Sequence, residues 1–318
     1  MDNNIDMFGE YIFYEDDKEV YRSKNLLTKF GKRYLTQYLA GQSTNNLKDI
    51  ALGVGSTAAT VNDTQLGFEF YKSAVSMNSI DIQTNQSTGI STYGVVHKTT
   101  IPVDVAGIIN EVGLFPNVIL GSTDYASNSI STFENNQSWT DSSGAYPSTT
   151  TTPFPKIGTS YISIGASASQ SKEYFYNFSL DVSGYSALDS LTLAYYQSDT
   201  NLDYVFVRMY DLNNNYYEIR YAGDASVGYK IKSLTLNNLY SSGYGSGTPD
   251  QTSIVKISCG VKSKSSGATV ALFDGMRIND EDSFRTDYGM ISRSVLANPI
   301  TKSLGKQMVI EYRIGLSF

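Results

Sequence analysis

The 318-residue chain has a formal net charge of −7 and only 17% charged residues, set against 25 Tyr and 14 Phe. That balance argues against a nucleic-acid partner, which calls for a basic stripe, and no run approaches the roughly 18 apolar residues of a membrane span. The single cysteine, Cys259, excludes an intrachain disulfide and any multi-cysteine zinc site.

Short apolar runs among Ser, Thr, Asn, Gly and Tyr predict a mostly β chain. Residues 8–22 read as a hairpin turning at Asp16-Asp17. From there the period changes: Leu26, Leu27, Phe30, Tyr34, Tyr38 and Leu39 recur at helical spacing. Ser23 or Asn25 is the expected N-cap, with Gly41 as the stop. Lys24, Lys29, Lys32 and Arg33 fit the solvated face of that helix. Ile50 to Gly55 reads as a short buried strand, followed by a polar loop in which Asp63 and Thr64 fix a turn and Leu66 points inward. No lysine follows the glycines, so this is not a phosphate loop. Further strands are expected over 68–71, 93–100 and 108–115. His97, the only histidine, alternates with apolar residues and reads as a strand-face hydrogen-bonding group rather than a catalyst.

Four pieces in order carry a resemblance to a module of tailed-bacteriophage structural proteins. They are the helix within Asn25 to Gly41, the stretch Ile50 to Glu69, the strand Ile109-Asn110-Glu111-Val112-Gly113-Leu114-Phe115, and Tyr288 to Leu296. The resemblance implies a virion protein that docks to other virion structural proteins and to further copies of itself. Leu66, Glu69, Glu111, Phe115, Tyr312 and Phe318 are the expected assembly residues.

After Pro116 the texture becomes rich in Ser, Thr and Asn, yet Phe133, Trp139, Tyr146 and Phe154 there predict ordered loops and edge strands. From Ser160 onward, regular strands with polar turns predict a two-sheet antiparallel sandwich, with Asn213-Asn214-Asn215 turning one hairpin. Three pieces of this block resemble jelly-roll carbohydrate-binding modules: Phe178 to Leu191, the pair flanking Asn213, and Ala271 to Ile278. The fold expected is therefore a small β-rich module with one N-terminal helix, interrupted by an inserted jelly roll. Residues 1–122 form its first part, 123–282 the insertion, and 283–318 the closing strands. The last run, Met308 to Phe318, alternates as a strand packed in a sheet to its end.

Sugar binding calls for a flat aromatic ring beside polar side chains. Trp139, Tyr146, Tyr195, Tyr204 and Tyr217 are the chosen candidates, and Tyr196 and Tyr216 qualify by type. Trp139, the only tryptophan, leads because it sits in a polar stretch. The jelly-roll resemblance also implies a structural calcium near Asp274, Asp280 and Asp282, although an acidic, solvated junction accounts for these residues as well. No other cofactor is expected. For glycosidic cleavage, Asp181, Asp189, Asp203, Asp211 and Glu218 are available, but nothing pairs them, so no catalytic residue is assigned. Met1 to Asp6 lacks a signal-peptide pattern, which suits synthesis in a host cytoplasm and carriage in the virion. The expected function is a tail, baseplate or fibre component that displays a domain for host polysaccharide. The alternatives are a polysaccharide-degrading virion enzyme and a cellular adhesin.

Overall fold

A hairpin of β1 (Asp6–Glu15) and β2 (Lys18–Lys24) opens the computed structural model, which describes residues 6–41, 48–84, 91–116, 128–279 and 289–317. Asp16 and Asp17 both take positive φ, 51° and 59°, the geometry a tight two-residue turn needs. There follow β3 (Leu26–Leu27), α1 (Lys29–Leu39), β4 (Lys48–Gly53), β5 (Glu69–Ala74), β6 (Met77–Thr84), β7 (Ser91–Ile101) and β8 (Gly107–Pro116). The middle of the chain supplies β9 (Asn128–Ser131), β10 (Trp139–Thr140), β11 (Ser148–Thr150), β12 (Tyr161–Ala166), β13 (Ser171–Leu180), β14 (Ser190–Gln197), β15 (Leu202–Asp211), β16 (Tyr216–Ala222), β17 (Gly228–Thr235), α2 (Leu236–Tyr240), β18 (Ile254–Ser263) and β19 (Thr269–Asn279). The chain closes with β20 (Ser292–Lys302) and β21 (Met308–Ser317). The chain is thus mostly β, with one helix longer than two turns among the described residues.

The chain divides into two compact units, one of Met1–Ile119 with Ser283–Phe318 and the other of Leu120–Asp282. In the first, two antiparallel sheets run β2-β1-β21-β7-β6 and β3-β20-β8-β4-β5. Strands from either end of the sequence alternate in both: β21 lies between β1 and β7, and β20 between β3 and β8. One core joins the sheets, with Tyr11, Phe13, Ile310 and Tyr312 from one, Ile50, Leu52, Val112 and Leu114 from the other, and Tyr34 from α1.

The helix begins later than its periodicity predicts. Leu26 and Leu27 leave it to pair with Arg293 and Ser292 of β20. Thr28 rather than Ser23 or Asn25 becomes the N-cap, its Oγ1 accepting from the Gly31 amide at 2.9 Å. The competing partner lies more than 260 residues away, so no local pattern reveals it. At the other end Gly41, at φ 68°, follows the last turn as expected.

The strand-and-loop stretch from Ile50 to Phe68 is organised around Glu111, which is fully buried on β8. Its carboxylate accepts the amides of Gly55 (2.8 Å), Phe68 (3.1 Å) and Gly67 (3.0 Å). Arg293 completes the shell, donating Nε at 3.0 Å and Nη2 at 2.7 Å to Glu111, and Nη1 at 2.6 Å to Asp63. Burial opposes the Arg293 charge, yet Glu111 and Asp63 outweigh it and hold the guanidinium pKa above its ordinary value. The glycines are there for clearance: a Cβ on Gly53 or Gly55 would stand 2.4 Å from Glu111 Oε1. On this same face Leu66 packs with Ala51, Phe115 and Met290.

These positions correct the expected assembly residues. Leu66, Glu111, Phe115 and Tyr312 are all interior, at 3% exposure or less, and hold their own unit together. Glu69 is half-buried in an ion pair with Lys72 at 3.1 Å, and Phe318 lies outside the described residues. His97 is buried on β7 with its ring parallel to Tyr312, centroids 6.1 Å apart.

In the second unit the sheets run β10-β13-β18-β15-β16 and β11-β12-β19-β14-β17, with β9 joining β19. Their facing sides share a core in which Val205, Val207, Met209, Ile219, Ile257, Cys259 and Val261 meet Leu191, Leu193, Tyr195, Phe273, Met276 and Ile278. Cys259 is fully buried and its thiol pKa is pushed up by desolvation, which leaves it unreactive.

Candidate functional site

Alternation along four strands of the β10-β13-β18-β15-β16 sheet decides which side chains it presents outward. Since Val205, Val207 and Met209 face the core, Tyr204, Phe206, Arg208 and Tyr210 face away from it. Register places Tyr216, Glu218 and Arg220 of β16 directly beside Tyr210, Arg208 and Phe206. Ser258 and Lys256 of β18 lie on the other side of Arg208 and Tyr210. Phe175 and Glu173 of β13 extend the same face through Ser258 and Gly260.

The charges on this face are ordered by one another. Glu218, 1% exposed, receives Arg208 Nε at 2.6 Å and Arg220 Nε at 2.5 Å. Arg208 also donates Nη1 to both Glu173 oxygens, at 2.8 and 3.0 Å. Burial opposes the Arg208 charge, and Glu218 with Glu173 overcomes it, holding the guanidinium pKa above its ordinary value. Each cation also lies over aromatic rings: Arg208 over Phe206 and Tyr216, Arg220 over Tyr204 and Tyr244, and Lys256 over Tyr210 and Phe175. Tyr244, 48% exposed, reaches the face from the loop after α2, where Tyr216 and Ser246 exchange two backbone hydrogen bonds. The result is a sheet face of tyrosines and guanidinium planes tied together by ion pairs, chemically suited to holding a polar, ring-shaped ligand.

Of the sugar-stacking residues expected from the sequence, Tyr204 lies on this face, as does Tyr216, which qualified by type. Trp139 does not: it is 1% exposed, stacked between Phe133 (4.9 Å) and Tyr176 (5.2 Å) in the sandwich core. Its strand pairs with β13, so the polar stretch around it wraps the core instead of looping free. Tyr195 is likewise fully buried, one residue out of phase with the surface. Tyr217 faces inward, packing on Tyr240 at 5.0 Å and donating its hydroxyl to the Pro249 carbonyl. Tyr146 is exposed at 57% and belongs to the β10–β11 connection, not to these strands. Arg208, Arg220 and Tyr244 were not among the expected residues. The alternation Tyr-x-Phe-x-Arg-x-Tyr over 204–210 is the signal that marks the first.

The candidate carboxylates sort simply. Asp181 accepts the Ser183 amide, Asp189 the Ser186 amide, and Asp211 the amides of Asn213 and Asn215, so these three fix turns. Asp203 is exposed on β15.

Asp274 does not fit the calcium that the resemblance implies. Its Oδ2 accepts from the amides of Lys156 (3.0 Å) and Ile157 (3.1 Å) and the Tyr229 hydroxyl (2.6 Å), three donors that a cation would have to displace. Among the described residues no group of three or more His, Cys, Asp or Glu side chains is placed to hold an ion. Asp280 and Asp282 lie outside the described residues. Burial, the dominant influence, pushes the Asp274 pKa up to about 7 against those three hydrogen bonds, while its buried Oδ1 has no partner among the described residues. A carboxyl whose folded pKa exceeds its unfolded value, roughly 3.9, favours the fold when neutral. That contribution is complete below about pH 4 and is lost as pH rises through 7. Asp274→Asn will therefore raise the melting temperature relative to wild type at pH 8 but not at pH 4.5. The gain is on the order of 3 kcal/mol. A wild-type-to-variant difference that stays constant across that range in scanning calorimetry contradicts this assignment.

No family model matches the chain, and no curated protein matches its sequence. Among solved structures it is similar to an exo-beta-agarase, with TM-score 0.35 and 15% identity over 48% of this chain and 25% of that one. The chain thus spans about a quarter of the length of that agarase. It is similar to a family 11 carbohydrate-binding module from Clostridium thermocellum, with TM-score 0.35 and 15% identity over 49% of this chain and 97% of that one. It is also similar to the enzymatically active domain of bacteriophage CBA120 tailspike protein 4, with TM-score 0.24 and 10% identity over 62% and 19% of the two chains.

Proposed function

We propose that this chain is a structural component of a tailed-phage virion, in the tail, baseplate or fibre region, that displays a sandwich for holding host-surface polysaccharide. The split unit docks to other virion proteins and to copies of the chain. The inserted sandwich binds sugar on the outer face of β13, β18, β15 and β16. The observation that carries the polysaccharide reading is the cluster of Tyr204, Tyr216 and Tyr244 with Arg208 and Arg220, locked by Glu218 and Glu173. Flat rings bury the apolar face of a pyranose, and the guanidinium and carboxylate edges meet its hydroxyls.

Holding rather than cleaving is the reading these contacts support. Cleavage calls for one carboxyl that gives up a proton and another that attacks or activates water. Glu218 and Glu173 are both engaged by Arg208, and Glu218 by Arg220 as well. Modest single-site affinity suffices in a particle, because repeated copies multiply it. Tyr204→Ala is expected to weaken retention by host polysaccharide about fivefold while leaving the melting temperature within about 2 °C of wild type. Retention by a polysaccharide column, with and without the substitution, measures it. Unchanged retention removes Tyr204, and with it this face, from recognition.

A further inference from the structure

We propose that the polysaccharide held here is an acidic one, gripped by the two terminal nitrogens of Arg220 through its carboxylate or phosphodiester oxygens. The inference rests on the polysaccharide reading above and narrows it to a ligand class. The two arginines of the face differ in how much of their hydrogen-bonding capacity is spent. Arg208 commits Nε to Glu218 and Nη1 to Glu173. Arg220 commits only Nε, to Glu218 Oε1, and among the described residues no acceptor meets Nη1 or Nη2. Yet Arg220 is not a loose surface side chain. Its guanidinium carbon lies 3.6 Å from the Tyr244 ring centroid and 4.6 Å from that of Tyr204, and its side chain is 31% exposed.

A planar fork held at its base by a carboxylate and on its faces by rings, with its outer N–H groups unspent, is organised for a two-oxygen acceptor before that acceptor arrives. Neutral hydroxyls also accept hydrogen bonds, so local charge decides between the classes. Lys256 and Lys262 share the face with both arginines, and register places Lys262 beside Tyr204. Glu173 and Glu218 are already paired with Arg208 and Arg220, and Asp203, an exposed carboxylate beside Tyr204, is outnumbered by Lys256 and Lys262. The rest of this acidic chain repels polyanions, which makes a basic face selective in where it admits one.

Affinity electrophoresis of the full chain tests this in gels cast with polygalacturonate, carboxyl-reduced polygalacturonate or poly(glycerol phosphate). The expected result is retardation by at least one acidic polymer that is tenfold or more stronger than by the reduced, neutral one. Arg220→Met is expected to abolish that excess. Arg220→Lys, which keeps the charge but not the fork, is expected to lose most of it, and Lys18→Met in the other unit none. Thermal melting of each variant confirms that it is folded. Retardation by polygalacturonate alone identifies a carboxylate ligand, and by poly(glycerol phosphate) alone a phosphodiester. Equal retardation by neutral and acidic polymers overturns the acidic inference while the polysaccharide reading survives. Acidic retardation that both Arg220 variants leave intact overturns the assignment to Arg220. No retardation by any polymer removes both.

Discussion

A chain carrying Glu111→Ala is expected to lose about 3–5 kcal/mol from the stability of its split unit, among the largest effects any single substitution will have on it. The magnitude follows from what is orphaned. Three backbone amides, those of Gly55, Gly67 and Phe68, lose their acceptor, and Arg293 at 5% exposure keeps a charge with only Asp63 to balance it. Glu111→Gln keeps oxygen for the amides and will cost less. The double variant Glu111→Ala with Arg293→Ala is expected to fall well short of the sum of the single losses, because each single change leaves a buried group unpaired. Hydrogen exchange reads this directly: amide protection in β4, β8 and β20 drops in the single variants, with β13, β15 and β18 as internal reference. Wild-type protection in Glu111→Ala contradicts the role given to this cluster.

Trp139→Ala is expected to destabilise the sandwich by about 3–5 kcal/mol. The indole fills a core site between Phe133 and Tyr176, with Phe133 in turn against Phe273 at 5.5 Å. Removing it leaves a cavity beneath the strand pair of β10 and β13 that those rings cannot close without leaving their own contacts. Urea unfolding followed by near-ultraviolet circular dichroism measures the loss. A sugar-stacking Trp139, as its polar neighbours in sequence imply, would instead give weaker glycan binding in a stable chain. A variant with wild-type stability and selectively lost polysaccharide binding contradicts the core placement.

The contrast between these two residues shows what was legible in the sequence. The hairpin at Asp16-Asp17, the strands from β12 to β19 and the closing run of β21 follow from alternation and turn chemistry, which are local. The start of α1 was not legible, because β20 claims Leu26 and Leu27 by pairing from the far end of the chain. Trp139 misled for a related reason: polar neighbours describe the outer side of a segment whose inner side meets β13. Within the candidate site, residue type singled out Tyr204 but could not separate it from Tyr195 or Tyr217. What separates them is phase along each strand, and phase needs the identity of the core side. Once Val205, Val207 and Met209 are known to face inward, Tyr204 and Arg208 are placed outward without further information. Tyr244 had no such signal, since only the folding of its loop against β16 brings it to Arg220.

Hydroxyl-radical footprinting of the full chain with and without bound polysaccharide tests the placement of recognition most directly. The tyrosines report individually: Tyr204, Tyr216 and Tyr244 lie on the proposed face, and the exposed Tyr146 belongs to the β10–β11 connection, not to the strands that carry it. The predicted result is protection of the first three on binding, with Tyr146 oxidised as before. Protection of Tyr146 alone, with Tyr204, Tyr216 and Tyr244 unchanged, contradicts the account.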